Sequence, residues 1–157
     1  MKPSSSTQPS AEQFYEQLKA YTRLVQRDHR LSGPNVDTVS VRSPVCGSSL
    51  TLDAVIENNR VLQLGWRVRA CSLGQATTAI VIKHLNDLDA KQVAKVAKQL
   101  DGILKNTRDT SDWPELELFS FARDIPSRHG SAMLPFQALI QLFERAENNT
   151  DGPLSTQ

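Results

Sequence analysis

Residues 50–68 read LTLDAVIENNRVLQLGWRV, and their alternating pattern predicts the central element of the fold. Apolar residues take every second position on both sides of the central Asn58-Asn59 pair. They are Leu50, Leu52, Ala54 and Ile56 before the pair and Leu62, Leu64, Trp66 and Val68 after it. Two alternating runs around two asparagines, which tolerate a left-handed backbone, are typical of a β-hairpin with a two-residue turn. The sequence therefore predicts two paired antiparallel strands in the middle of the chain.

The segments before the hairpin predict one helix and one more strand. A third alternating run, which contains Val39 and Val41, predicts an edge strand near 36–42. Upstream of it, Ser10 and Gln13 have the spacing of a capping box. We therefore expect an amphipathic helix over roughly 11–26, followed by the edge strand.

From Ser72 onward the strand pattern stops and apolar residues recur at helical spacing. Four helices are predicted, with apolar stripes at Ala76, Ala79 and Ile80, at Val93, Val96, Ala97, Leu100 and Leu104, at Leu116, Phe119 and Ala122, and along Ala132–Ala146. One helix, a three-stranded antiparallel meander and several C-terminal helices packed on one face predict an α+β domain over 11–146. The polar ends, 1–10 and 147–157, are expected to be disordered tails.

Charge and composition exclude several classes of protein. The 18 basic and 17 acidic residues give a net charge of +1, which argues against a nucleic-acid binder. No apolar run is long enough to span a membrane, and the N-terminus does not read as a signal peptide. We therefore expect a cytoplasmic protein with reduced thiols that binds neither nucleic acid nor membrane.

The two cysteines of the chain lie symmetrically about the turn of the predicted hairpin. Cys46 precedes the first strand and Cys71 follows the second, at equal distances from the middle of the Asn58-Asn59 pair. In such a hairpin the two residues face each other at the open end, where paired Cβ atoms are about 4.5–5.5 Å apart. The alternative is that both are small buried hydrophobic residues, but the mirrored placement favours a dithiol site.

The residues around each cysteine favour the thiolate. Cys46 lies in Ser43-Pro44-Val45-Cys46-Gly47-Ser48, a turn that leaves backbone N–H groups free near the sulfur. Cys71 directly precedes Ser72, the predicted N-cap, so its sulfur faces a helix N-terminus. Such surroundings lower the pKa of a thiol and favour the form that binds metal or accepts sulfur.

Three motifs in this order resemble a known family. They are Pro44-Val45-Cys46-Gly47, Cys71-Ser72-Leu73-Gly74-Gln75-Ala76 and the run Arg128-His129-Gly130-Ser131-Ala132-Met133-Leu134-Pro135-Phe136. Together they look like the IscU/SufU/NifU N-terminal family of iron–sulfur cluster assembly scaffolds, over about residues 11–146. The long segment between Cys71 and Ser131 is similar to that of the SufU branch. The resemblance implies the same α+β order of elements.

Family members build their site from three cysteines and an aspartate, and this chain departs from that set. Two family cysteines match Cys46 and Cys71, whereas the aspartate falls on Ser48 and the third cysteine on Ser131. The family's basic residue three positions before that third cysteine is retained as Arg128. A hydroxyl is a poor metal ligand, and Ser131 cannot carry a persulfide. If sulfur is received here, Cys46 or Cys71 must receive it.

Three residues near the third motif each have an ordinary interpretation beside the functional one. Ser131 has the pattern of an N-cap for the last helix, with Pro135 in the first turn. His129 is either a substitute metal ligand or a simple loop histidine. Arg128 either holds an anionic cluster or persulfide, or is a solvated surface residue.

These observations predict a scaffold-like protein, not an enzyme, that binds iron or [2Fe–2S] intermediates through Cys46 and Cys71. The resemblance implies a cysteine desulfurase and apo iron–sulfur client proteins as partners. Ser48, Ser131, His129, a second copy of the chain in a homodimer, or a small thiol would complete the site. Three alternatives stay open: a zinc-bound sulfur acceptor, a degenerate paralogue that only binds partners, and a redox switch in which the thiols form a disulfide. No Ser–His–Asp order, glycine-rich phosphate loop or carboxylate pair indicates an active site.

Overall fold

The computed structural model of the chain describes the backbone of residues 10–156 and the side chains of residues 10–149. The elements in chain order are α1 (Ala11–Thr22), β1 (Asp37–Arg42), β2 (Ser49–Glu57), β3 (Arg60–Arg69), α2 (Ser72–Lys83), α3 (Ala90–Leu104) and α4 (His129–Thr156). Short 3₁₀ segments lie between them, at Arg23–Val25, Leu85–Asp87, Pro114–Ala122 and Pro126–Arg128. The predicted α+β class and order of elements are confirmed.

The helix α1 begins as its sequence predicts. The Ser10 hydroxyl accepts the Gln13 N–H at 3.1 Å, and the Gln13 side chain accepts the Ser10 N–H at 2.8 Å. This reciprocal pair is the predicted capping box, and it satisfies two N–H groups that the first helical turn leaves without partners. Phe14 and Leu18 then bury the inner face of the helix. The predicted tail 1–10 lies outside the described residues except for Ser10.

The three strands form one antiparallel sheet in the order β1-β2-β3. Asn58 and Asn59 both have positive φ, 54° and 63°, so the hairpin closes in the two-residue turn that the sequence predicts. The pairing runs from Glu57 opposite Arg60 to Ser49 opposite Arg69 at the open end.

One strand position differs from the predicted alternation. A β-bulge shifts the register, so that Ile56 pairs with Val61 whereas Val55 pairs with Gln63. Leu62 is the extra residue and is 47% exposed, while Val61 is 5% exposed and belongs to the core. The predicted alternation of Leu62 with Leu64, Trp66 and Val68 is therefore broken at Leu62, because an inserted residue reverses the facing of its neighbours.

An ion pair between the buried Asp53 and the exposed Arg30 ties the segment after α1 to the sheet. The Asp53 carboxylate accepts hydrogen bonds from the Arg30 guanidinium at 2.8 and 3.0 Å, from the Leu31 N–H and from the Thr38 hydroxyl. Burial raises the pKa of Asp53, but these donors outweigh it, and the pKa lies below its ordinary value. Gly65 of β3 is paired with Asp53 of β2. A Cβ at Gly65 would lie 2.7 Å from backbone atoms of His29 and Leu31, so only glycine lets this segment pass over the sheet. The alternation alone did not predict this buried carboxylate.

The helices pack on one face of the sheet. α4 contacts β1 and β2, and α2 lies between α1 and α4. The structure differs from the predicted helices in three ways. The predicted helix that contains Leu116 and Phe119 is the 3₁₀ segment Pro114–Ala122. The last helix, α4, begins at His129, and its backbone stays helical beyond Ala146 to Thr156. The apolar stripe of α4 ends near Ala146, but adding residues to a helix that has already formed costs little. No helix among the described residues is both long and apolar enough to cross a membrane.

The bulge predicts that truncating Val61 destabilises the protein much more than truncating its neighbour Leu62. Val61→Ala should lower the free energy of unfolding by about 2 kcal/mol, because it removes two buried methyl groups and leaves a cavity. Leu62→Ala, the matched control, should change it by less than about 0.5 kcal/mol because Leu62 is exposed. Urea denaturation of both variants measures the difference. A larger loss for Leu62→Ala would show that the strand has the unbulged register.

Candidate functional site: two thiols at the open end of the hairpin

The loop between β1 and β2 presents Cys46 to solvent. The Ser43 N–H donates to the Ser48 carbonyl at 2.8 Å, and the Gly47 N–H donates to the Ser43 carbonyl at 2.9 Å. Gly47 has φ +75°, a conformation that glycine adopts without strain. These bonds close the turn at its base, so Cys46 is exposed at its tip.

Cys71 occupies the N-cap of α2. The predicted N-cap, Ser72, is instead the first helical residue, because Cys71 has the extended backbone of a cap. The Cys71 side chain makes no full capping hydrogen bond, yet the N–H groups of Gly74 and Leu73 lie close enough to its sulfur to stabilise a thiolate. The sulfur is thus even nearer to the helix N-terminus than the sequence predicted.

Ser131 reaches the site from the first turn of α4. It is fully buried, and its Oγ lies 3.2 Å from the Cys71 Sγ. The predicted N-cap role is wrong, because the chain is already helical at His129 after the 3₁₀ turn Pro126–Arg128. The Ser131 side chain, which the sequence predicts at the position of the family's third cysteine, therefore lies against the Cys71 thiol.

Two glycines let α4 approach the thiols. A Cβ on Gly74 would lie 2.5 Å from the Ser131 Oγ, and a Cβ on Gly130 would lie 2.9 Å from the Ser43 Oγ. Any larger residue at Gly74 would push α4 away from α2. Pro135, predicted in the first turn, lies in the second and leaves the Ser131 carbonyl without its usual helical N–H partner.

Ser48 connects the two cysteines directly. Its Oγ lies 3.2 Å from the Cys46 Sγ and accepts the Cys71 N–H at 3.1 Å. Because that N–H occupies one lone pair of the oxygen, the hydroxyl proton remains free to be donated to a Cys46 thiolate. The position that matches the family's aspartate is therefore also next to both cysteines.

Sequence reasoning missed Ser43. This residue is buried, and its Oγ lies 3.6 Å from the Cys46 Sγ. The sequence does contain a clue to it, since Ser43 lies three residues before Cys46 in a proline-containing turn. At that spacing a serine hydroxyl can hydrogen-bond a residue further along the same turn.

The hydroxyls lower the pKa of both thiols. The Ser48 hydrogen bond contributes most at Cys46, where partial burial opposes it and Ser43 and Ser131 add to it, and the pKa falls to about 7. At Cys71, burial is the largest influence and raises the pKa, but Ser131, the amides of α2 and Ser48 together bring it below the ordinary value. Both sulfurs are thus held in a hydrogen-bonded site that stabilises the thiolate.

The other two predicted residues lie differently. The His129 imidazole donates through Nε2 to the Ala122 carbonyl at 2.8 Å, so this nitrogen is occupied. Arg128 is exposed, and its side chain makes no hydrogen bond or ion pair with the described residues. The structure therefore brings together four of the predicted residues: Cys46, Cys71, Ser48 and Ser131. Among the described residues, His129 forms no hydrogen bond with any of these four.

The donor set does not fit a resident four-ligand metal. Structural zinc and [2Fe–2S] clusters normally have four ligands dominated by thiolate and imidazole. Within residues 10–149 no group of three or more His, Cys, Asp or Glu side chains is placed to hold a metal ion. Two thiolates and two neutral hydroxyls supply half of such a shell.

Solved structures share this fold. A nitrogen-fixing NifU-like protein (N-terminal part) from Brucella abortus superposes with a TM-score of 0.75 at 22% identity, covering 85% of this chain and 93% of that one. A protein from the thermophilic Fervidobacterium islandicum, described as an iron–sulfur cluster assembly scaffold for the SUF system, gives a TM-score of 0.66 at 16% identity, covering 83% and 96%. No family model matches the sequence, and a search of curated proteins found no significant match. The predicted resemblance is confirmed at the level of the fold.

The serine network predicts a specific titration of Cys46. In a Cys71→Ser chain, where Cys46 is the remaining thiol, its alkylation rate should rise with pH to half its maximum near the pKa of about 7. Ser48→Ala should move this midpoint upward, because the thiolate loses its main hydrogen-bond donor. Iodoacetamide labelling followed by mass spectrometry measures the profile.

The matched control for this titration is Ser40→Ala. The Ser40 hydroxyl bonds Thr51 on the exposed face of the sheet and contacts neither cysteine. This variant should keep the midpoint of the Cys71→Ser chain. An equal shift in both variants would show that Ser48 does not act through its bond to Cys46.

Proposed function

We propose that this chain, which has the fold of the NifU-like and SUF-system scaffold proteins, binds iron and sulfur intermediates of iron–sulfur cluster assembly through Cys46 and Cys71. The observation that carries the proposal is the convergence of these two thiols, each with a lowered pKa, on two buried serines at one end of the hairpin. Thiolates are the ligands that iron–sulfur clusters prefer.

An incomplete set of protein ligands suits iron or a cluster that is bound for a short time and then transferred to another protein. Iron or a [2Fe–2S] unit held by two thiolates would need further ligands from outside the dithiol, either a second copy of the chain or a small thiol, or from a rearranged His129, Ser48 or Ser131. A shell that is only half built binds weakly, and an apo iron–sulfur client protein with four cysteines would remove the cargo. Arg128, exposed and unpaired among the described residues, is available to an anionic cargo.

A role as sulfur acceptor follows from the different exposure of the two thiols. Cys46 is exposed at a loop tip, whereas Cys71 is partly buried under α4. A cysteine desulfurase delivers sulfur from a persulfide on its own cysteine, and only an exposed thiolate can attack that sulfur. We therefore assign the first sulfur to Cys46 and the desulfurase as the partner that supplies it.

The first test is the metal and sulfide content of the protein purified without oxygen. The wild-type chain should contain iron and acid-labile sulfide in equal amounts, because both are held as one cargo. The Cys46→Ser/Cys71→Ser chain should contain neither, and Ser40→Ala should match the wild type.

Other contents would redirect the proposal. Zinc alone, lost from the double variant, would indicate a zinc-bound sulfur acceptor. Nothing bound to either protein, even after incubation with iron, sulfide and a small thiol, would contradict the scaffold role. A partner-binding module that has lost the site would then be the better description.

The second test concerns the acceptor. Incubation with a cysteine desulfurase and cysteine should add one sulfur to Cys71→Ser and none to Cys46→Ser, because only Cys46 is exposed to the donor persulfide. Mass spectrometry under non-reducing conditions measures the addition. Equal labelling of the two variants would remove the assigned role from Cys46.

A further inference from the structure

One serine hydroxyl connects the two cysteines. The Ser48 Oγ lies 3.2 Å from the Cys46 Sγ and accepts the Cys71 N–H at 3.1 Å. The Ser131 Oγ lies 3.2 Å from the Cys71 Sγ. The hydroxyls of both serines contribute to the lowered pKa of both thiols, as is expected for two sulfurs in one site. We therefore expect a sulfur atom attached to Cys46 to come within reach of Cys71.

Cluster assembly requires a reduction that a single cysteine cannot perform. A persulfide carries its outer sulfur at the oxidation level of elemental sulfur, whereas an iron–sulfur cluster contains sulfide. Two electrons must therefore be added to each sulfur atom that is delivered. A dithiol can supply two electrons by becoming a disulfide.

Resting on the proposed function, we propose that Cys71 resolves a persulfide on Cys46 and releases the sulfur as hydrosulfide. The Cys71 thiolate attacks the inner sulfur of Cys46–S–SH, so that the Cys46–Cys71 disulfide bond forms and the bond to the outer sulfur breaks. The outer sulfur leaves with the bond's electron pair and its own proton as HS⁻. It has gained two electrons, and the two cysteine sulfurs together have lost two. An external thiol of the glutathione class then reduces the disulfide.

The placement of the two residues assigns these roles. Cys46 is exposed and can meet a donor, and the HS⁻ that leaves it has a direct path to solvent. Cys71 is partly buried at the N-cap of α2, where it meets the inner sulfur of a persulfide on its neighbour. The chain has two cysteines, so no third thiol competes for the persulfide. Ser131, at the position of the family's third cysteine, keeps the site a pure dithiol.

A single-turnover experiment without desulfurase tests this reaction. The fully reduced chain receives inorganic polysulfide at one sulfane sulfur per chain, without oxygen or added thiol. Loading itself leaves the sulfide end of the polysulfide as HS⁻ in every chain. The wild type should release one further HS⁻ per chain and become about 2 mass units lighter than the reduced chain, as expected for a disulfide. Cys71→Ser and Cys71→Ala should stay about 32 mass units heavier, as persulfides, and release only the sulfide of the loading step. The thermal unfolding of both Cys71 variants is measured as well. A melting temperature close to that of the wild type excludes a folding defect as the cause of the persistent persulfide.

Three outcomes would overturn the inference. They are a wild-type persulfide that persists, a sulfur that moves to Cys71 with no sulfide beyond that of the loading step, and loading of Cys46→Ser as fast as the wild type. Release must also be first order and independent of protein concentration, since reaction between two chains would contradict an internal dithiol.

The experiment separates this inference from the function on which it rests. Inorganic polysulfide bypasses the desulfurase, so failure of the desulfurase to label Cys46 would remove the proposed partner and leave the resolving reaction standing. Labelling by the desulfurase followed by a stable wild-type persulfide would remove the resolving role of Cys71 and leave the acceptor role intact.

Discussion

The register of the β2–β3 hairpin is the constraint on which the rest of the molecule depends. Two adjacent left-handed asparagines close the turn, and one bulge then sets every later pair, ending with Ser49 opposite Arg69. If one strand slipped by one residue, its core-facing side chains would turn to solvent. It would also separate the loop that carries Cys46 from the helix cap that carries Cys71. The same register therefore builds the hydrophobic core and aligns the two ends of the site.

A second close approach completes the site from the far end of the chain. α4 lies against α2 because Gly74 has no side chain, and Ser131 fills the space beside Cys71. The residue is buried and hydrogen-bonded, so its hydroxyl costs little there. A cysteine in this place would be a third soft ligand, whereas the serine hydroxyl accepts a hydrogen bond from the Cys71 thiol and donates one to its thiolate. The fold thus gathers two thiols and two serine hydroxyls at one end of the hairpin.

This change alters which chemistry the site favours. Four strong ligands would hold a metal tightly, but two thiolates beside two hydroxyls leave the sulfurs accessible to other sulfur compounds. The hydroxyls stabilise negative charge on either sulfur without adding a formal charge of their own. The proposed sulfur acceptance, cargo binding and exchange between the two thiols would all use that property. The proposed scaffold role and the proposed resolving role of Cys71 are therefore two consequences of one arrangement.

The class of fold, the hairpin and its turn, the capping box of α1 and the position of one cysteine at each end of the hairpin strands can all be read from the sequence. These features are local or depend on a period of two or 3.6 residues, which the side chains of a single segment express. Contacts between segments account for the remainder: Leu62 is exposed, Asp53 is buried and paired with Arg30, Ser131 faces a thiol and does not cap a helix, and Ser43 joins the site. Each of these depends on segments far apart in sequence, and contacts of that kind are chosen by packing, not by the pattern within either segment.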